Sequence, residues 1–116
     1  MWDLARSIEA AFTLAGLKTE QGGAYPGWTP NPSSEAVEML RALYVEKFNS
    51  EPKVMACHAG LECGILGTNY PEMDMASFGP NIRGAHSPDE CCQISSVAKF
   101  WNFYLEALSR TPKRVK

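Results

Sequence analysis

Apolar residues recur three and four apart at the start of the chain: Leu4, Ile8, Ala11, Phe12 and Ala15 share one face, while Arg6, Glu9 and Thr13 occupy others. This spacing predicts an amphipathic helix over residues 2–16, with Gly16 as its C-cap. A short polar segment follows to Gln21. From Gly22 to Ser34 the pattern breaks, because Gly22, Gly23, Pro26, Gly27, Pro30 and Pro32 leave no room for regular structure. Tyr25 and Trp28 within it carry large apolar areas, so the segment is expected to pack down. Ser33-Ser34-Glu35 then supplies a hydroxyl cap and an early acid for a second helix, whose apolar positions Val37, Leu40, Leu43, Tyr44 and Phe48 run to about Asn49.

The second half alternates. Lys53-Val54-Met55-Ala56-Cys57 and Met73-Asp74-Met75-Ala76-Ser77-Phe78 are short, mainly apolar runs of the kind that form buried strands. A short helix is expected from Glu62 to Leu66. A last helix, capped by Ser95 or Ser96 and ended by Pro112, presents Phe100, Trp101, Phe103, Tyr104 and Leu108. Helix, strand, short helix, strand, helix is the order of an α/β layer with helices covering a sheet. Two or three short strands make an undersized sheet with open edges, so the chain reads as part of a larger domain.

Composition narrows the function classes. At 116 residues, 45% hydrophobic and 21% charged, the chain has the length and make-up of one soluble domain. A net charge of -2, with basic residues gathered only at Lys113, Arg114 and Lys116, argues against a nucleic-acid partner. No apolar run reaches the roughly 20 residues that span a bilayer, so no membrane partner is expected. Asp3, Arg6 and Glu9 interrupt any secretory h-region, and a cytoplasmic location is expected. Cys57, Cys63, Cys91 and Cys92 lack the paired C-x-x-C spacing of structural zinc, and four reduced thiols are the default, with Cys57 a small buried group.

Two polar runs carry the candidate chemistry. In Gly84-Ala85-His86-Ser87-Pro88-Asp89-Glu90, a neutral His86 imidazole is suited to zinc, with Pro88 stiffening the turn that aims it. The competing reading is a surface turn in which Asp89 and Glu90 cap the approach to the last helix. In His58-Ala59-Gly60-Leu61-Glu62-Cys63-Gly64, Gly60 permits close approach of backbone to a ligand. Glu62 suits a ligand, a base or an acid favoured at a helix start.

These two runs, together with Tyr70-Pro71-Glu72-Met73-Asp74-Met75, Gly79-Pro80 and Gly23-Ala24-Tyr25-Pro26-Gly27-Trp28, resemble the C-terminal part of bacterial aminoacyl-histidine dipeptidases. These are also called Xaa-His or cytosol non-specific dipeptidases, in the dinuclear-zinc metallopeptidase superfamily. The resemblance implies an α/β catalytic domain interrupted by a lid. Residues 1–22 would be the end of the lid, 23–34 a Gly/Pro-rich boundary, and 35–116 the C-terminal part of the catalytic domain. It implies that His86 is a zinc ligand and that Gly60 lies beside the substrate. Glu62 would lie near that pocket, with Asp89 and Glu90 behind the ligand or capping. Family members usually carry a polar or basic residue and then an aliphatic one where Cys91-Cys92 stand, so Cys91 is the departure.

A two-zinc peptidase needs a bridging carboxylate, further His and acidic ligands and a glutamate base, which the resemblance assigns to an N-terminal half not present here. The expected function is therefore metal-dependent hydrolysis of Xaa-His and other dipeptides in the complete enzyme, with two zinc ions, and no catalytic residue or activity in this chain alone. Its expected partners are a dipeptide in the complete enzyme, the N-terminal half, or a second copy. Two alternatives remain: a self-associating or fragment-complementing binding module, and a small structural zinc protein built on the four cysteines.

Overall fold

The computed structural model describes residues 2–56 and 62–112. Its elements, in chain order, are α1 (Trp2–Leu14), α2 (Glu35–Phe48), α3 (Glu62–Asn69), β1 (Ile82–Arg83), β2 (Cys91–Cys92) and α4 (Ile94–Arg110).

α1 ends where the glycine demands it. Gly16 takes φ 79°, its N–H donates to the Thr13 carbonyl at 2.9 Å, and the Leu17 N–H donates to Phe12 O at 3.0 Å. This paired closure satisfies carbonyls the helix leaves open. The chain then folds back along α1, where the Gln21 side-chain amide donates to the Glu9 carboxylate at 2.6 Å. No residue of α1 is buried. Its apolar stripe, including Leu4, Ile8 and Phe12, faces solvent.

α2 begins at Ser34, whose hydroxyl accepts from the Val37 N–H at 3.0 Å, and closes on Asn49 in the left-handed region. α4 starts two or three residues earlier than a cap at Ser95 or Ser96 would place it. Gln93 is the N-cap residue, without a side-chain cap bond. The reason is that Ser96 is committed elsewhere. Its hydroxyl donates to Gln93 O at 2.7 Å and accepts from the Asn81 N–H at 2.9 Å, tying the segment before β1 to the start of α4.

The core lies between α2 and α4, where Leu43, Phe103 and Ala107 are buried and Leu40, Tyr44 and Phe48 pack against them. Phe78 joins from outside both helices, its ring edge-on to Phe103 with centroids 5.5 Å apart. At the far end of the pair, Lys47 meets Glu106 at 2.8 Å and Arg110 meets Glu46 at 2.7 Å.

Neither run expected as a buried strand is one among the described residues. Residues 53–56 and 73–78 lie outside any regular element, and Val54 and Met55 are 61% and 78% exposed. A strand exists only through its ladder, and among the described residues the one ladder is that of β1 and β2, so neither run is hydrogen-bonded into a sheet. Cys57, at the end of the first run, lies outside the described residues. The observed sheet is instead a hairpin of β1 and β2, pairing Ile82 with Cys92 and Arg83 with Cys91 in antiparallel register. Both cysteines are exposed. Tyr25 is also more exposed than the packing expectation, at 58%.

The result is a helix-dominated chain with a two-stranded sheet, consistent with a partial α/β domain. Its radius of gyration is 19.3 Å, against about 13 Å for a compact domain of this length. It exposes 10182 Å², where a folded monomer of its mass exposes about 6,300 Å². The apolar faces of these elements are therefore open to a degree unusual for a compact domain.

Candidate functional site

His86 sits on the seven-residue loop that joins β1 to β2, and two consecutive turns build that loop. The first runs from Gly84 to Ser87, closed by the Ser87 N–H donating to Gly84 O at 3.0 Å. Ser87 reinforces it through its hydroxyl, which donates to the same oxygen at 2.6 Å. His86 occupies the third position of this turn with φ 63°, a conformation uncommon for residues other than glycine but visited by histidine more than by most. The second turn runs from Ser87 to Glu90, closed by the Glu90 N–H on Ser87 O at 3.1 Å. Pro88 stands at its second position, where the ring's fixed φ is already suitable.

Gly84 is required where it stands. It takes φ 61°, and a side chain there would press within 2.9 Å of the Ser87 hydroxyl. Glu90 spans both turns: its carboxylate accepts from the His86 backbone N–H at 2.7 Å. Among the described residues, no group bonds the His86 ring nitrogens, and the side chain is exposed. Asp89 is exposed on the same loop and contributes its carbonyl to the crowding over Gly84.

Glu62 is the first residue of α3, where an acid suits the positive end of the helix dipole. Gly60 and His58 lie outside the described residues. The loop therefore unites His86, Asp89 and Glu90, while Glu62 belongs to a different element. One exposed imidazole on a stiff turn fits a single metal ligand. Among the described residues no group of three or more His, Cys, Asp or Glu is gathered to hold a metal ion, so a complete centre needs donors from elsewhere.

Two further residues organise the surroundings without standing out in the sequence. Asp74 accepts from the Ala36 backbone N–H at 2.9 Å, at the start of α2. That bond, with Ser34 next in effect, holds its carboxyl below the usual range. Gly64 is buried in α3, and a Cβ there would overlap the Pro26 carbonyl oxygen. An acid inside an apolar run and a glycine inside a helix are the available signals, since each is costly without a partner.

A cleft of about 1590 Å³ opens between α2, α4 and the 53–56 and 75–79 segments, lined by residues including Leu40, Phe48, Val54, Met55, Met75 and Phe78. Small-molecule pockets are about 300–1,000 Å³. None of His86, Glu62, Asp89 and Glu90 lines it. The size and apolar lining suit packed protein rather than a dipeptide. No described helix is long and apolar enough to cross a membrane.

The chain is similar to the cytosol non-specific dipeptidase of Escherichia coli (strain K12), 48% identical over 107 residues, covering 92% of this chain and 22% of that protein. It is similar in structure to the aminoacylhistidine dipeptidase of Vibrio alginolyticus, with a TM-score of 0.73 and 40% identity over 97% of this chain and 23% of that one. The chain thus spans between a fifth and a quarter of the length of these relatives. The model of peptidase family M20/M25/M40 matches residues 11–110, nearly the whole chain, and the chain belongs to that family.

Proposed function

We propose that this chain is the C-terminal part of a metal-dependent dipeptidase that hydrolyses Xaa-His and other dipeptides, and that it has no activity by itself. The observation that carries this reading is the 48% identity across 92% of the chain to a dipeptidase of which it covers 22%. In the complete enzyme His86 would be one ligand of a two-zinc centre. Zinc there would supply Lewis acidity and an activated water. This chain's own part is to present the His86 imidazole from a stiff turn and, at Gly60, to let backbone approach the substrate. Glu62 would stand near that pocket, with Asp89 and Glu90 supporting the ligand loop.

Residues 1–22 would end the lid, 23–34 form the boundary and 35–116 complete the catalytic domain. The partner would be the rest of the dipeptidase, and a second copy is the alternative occupant of the same exposed faces. The open cleft, the unpaired 53–56 and 73–78 runs and the excess surface support such a partner. A cytoplasmic location is the reading that the cytosol non-specific dipeptidase of Escherichia coli supports.

The test is an assay of Xaa-His hydrolysis by the chain with added zinc or manganese, alone and mixed with the complementary N-terminal polypeptide. We expect turnover only in the mixture, removed by a chelator. Chelator-sensitive turnover by the chain alone would overturn the inactivity. No turnover by a folded, metal-loaded mixture would overturn the dipeptidase reading.

A further inference from the structure

We infer that Glu90 is a positioning residue for His86, holding the ligand's backbone so that its ring points in one direction. This rests on the proposed reading of His86 as a metal ligand and adds the means by which it is aimed.

The His86 ring has no anchor of its own among the described residues. Its direction is therefore inherited from its backbone, which lies at φ 63°. A histidine in that region is held there by its surroundings or relaxes to negative φ, and relaxation would swing the Cα–Cβ bond and the ring with it. Three contacts oppose the swing. Two are local to the first turn, the Ser87 N–H and hydroxyl both on Gly84 O. The third is the Glu90 carboxylate on the His86 N–H at 2.7 Å, the short length of a charge-assisted bond. Of these, only the Glu90 bond engages His86 itself, and it ties the first turn to the second. β2 begins at the next residue, Cys91, whose pairing with Arg83 fixes the base of the loop. The clamp therefore runs from the sheet, through Glu90, to the ligand's own peptide group. Partners that orient a ligand from behind are worth about 10–100-fold in metal affinity.

The experiment uses the complete dipeptidase polypeptide containing this segment. Zinc affinity is measured by competition with a chromophoric chelator, and the melting temperature is taken on the metal-free protein. Glu90→Ala should weaken the more weakly held zinc by about tenfold with little change in metal-free melting. Glu90→Gln keeps an acceptor oxygen at the same reach and should stay within about threefold of the parent. Wild-type zinc affinity in Glu90→Ala would overturn the proposal, as would a Glu90→Gln protein as weak as Glu90→Ala. A metal-free melting temperature that falls in step with the affinity would also overturn it, making Glu90 a structural residue. His86→Ala, run in parallel, separates the two claims. If it keeps both metals at full affinity, the ligand assignment itself fails; if it loses one while Glu90→Ala does not, only the positioning role fails.

Discussion

The carboxylate of Asp74 accepts a hydrogen bond from the backbone N–H of Ala36 at 2.9 Å, joining residues 38 apart in the chain. It sits where α2 leaves its first N–H groups without partners, so one side chain both caps the helix and anchors the segment leading to Phe78. Replacing Asp74 by Ala should destabilise the fold by about 1 kcal/mol, the usual cost of losing a helix cap. Asp74→Asn, which keeps an acceptor oxygen, should lose less. Urea denaturation of the two variants checks the order.

Acid should weaken the same structure. Asp74 is held low chiefly by the Ala36 N–H, Glu46 by its bond to Arg110, and Glu106 first by Lys47 and then by Arg110. A carboxyl depressed in the folded state stabilises fully above its unfolded pKa, and that contribution is lost as pH falls through the folded value. The melting temperature should therefore be flat near neutrality and fall as the pH drops below about 4. All three groups are solvent-exposed, so high salt should flatten the part due to Glu46 and Glu106. Thermal melts from pH 7 to pH 2, at low and high salt, test both statements.

Gly64→Ala should be disruptive although it adds one methyl group to a helix. The new Cβ would meet the Pro26 carbonyl oxygen, a backbone atom that cannot swing aside. The cost should be about 1–3 kcal/mol, the range for overpacking. Because the clash lies two residues from Trp28, a change in tryptophan fluorescence should accompany the loss.

His86→Ala separates ligand from scaffold. In the complete enzyme it should abolish or severely reduce dipeptide turnover while circular dichroism stays unchanged. In the 116-residue chain it should alter stability by no more than about 0.5 kcal/mol, as for other exposed positions. Full activity of the complete variant would exclude the ligand role, and a large stability loss in the chain would mark His86 as structural.

Self-association should be visible in solution. Leu14 is 89% exposed and Met55 78%, and large apolar side chains left this open favour association. Sedimentation should show dimers or larger species at high protein concentration. A strict monomer would count against the association.

What the sequence determined by itself is local. The spacing of Leu4, Ile8 and Phe12, the Ser34 cap and the apolar face of α4 depend on neighbours within one turn, and each helix formed within a few residues of its expected bounds. The sharp turn at His86 was legible for the same reason, since Gly84, Ser87 and Pro88 act within the loop they occupy. The strand pattern of residues 53–57 and 73–78 was a weaker guide, because a strand's hydrogen bonds belong to another segment and, among the described residues, neither run is paired in a ladder. Tertiary structure alone decided that Ile82 pairs with Cys92, that Ser96 serves Asn81 instead of capping α4, and that Asp74 reaches Ala36. Those bonds join positions 10 to 38 residues apart, so one partner is set by where the chain returns and not by the residues beside the other.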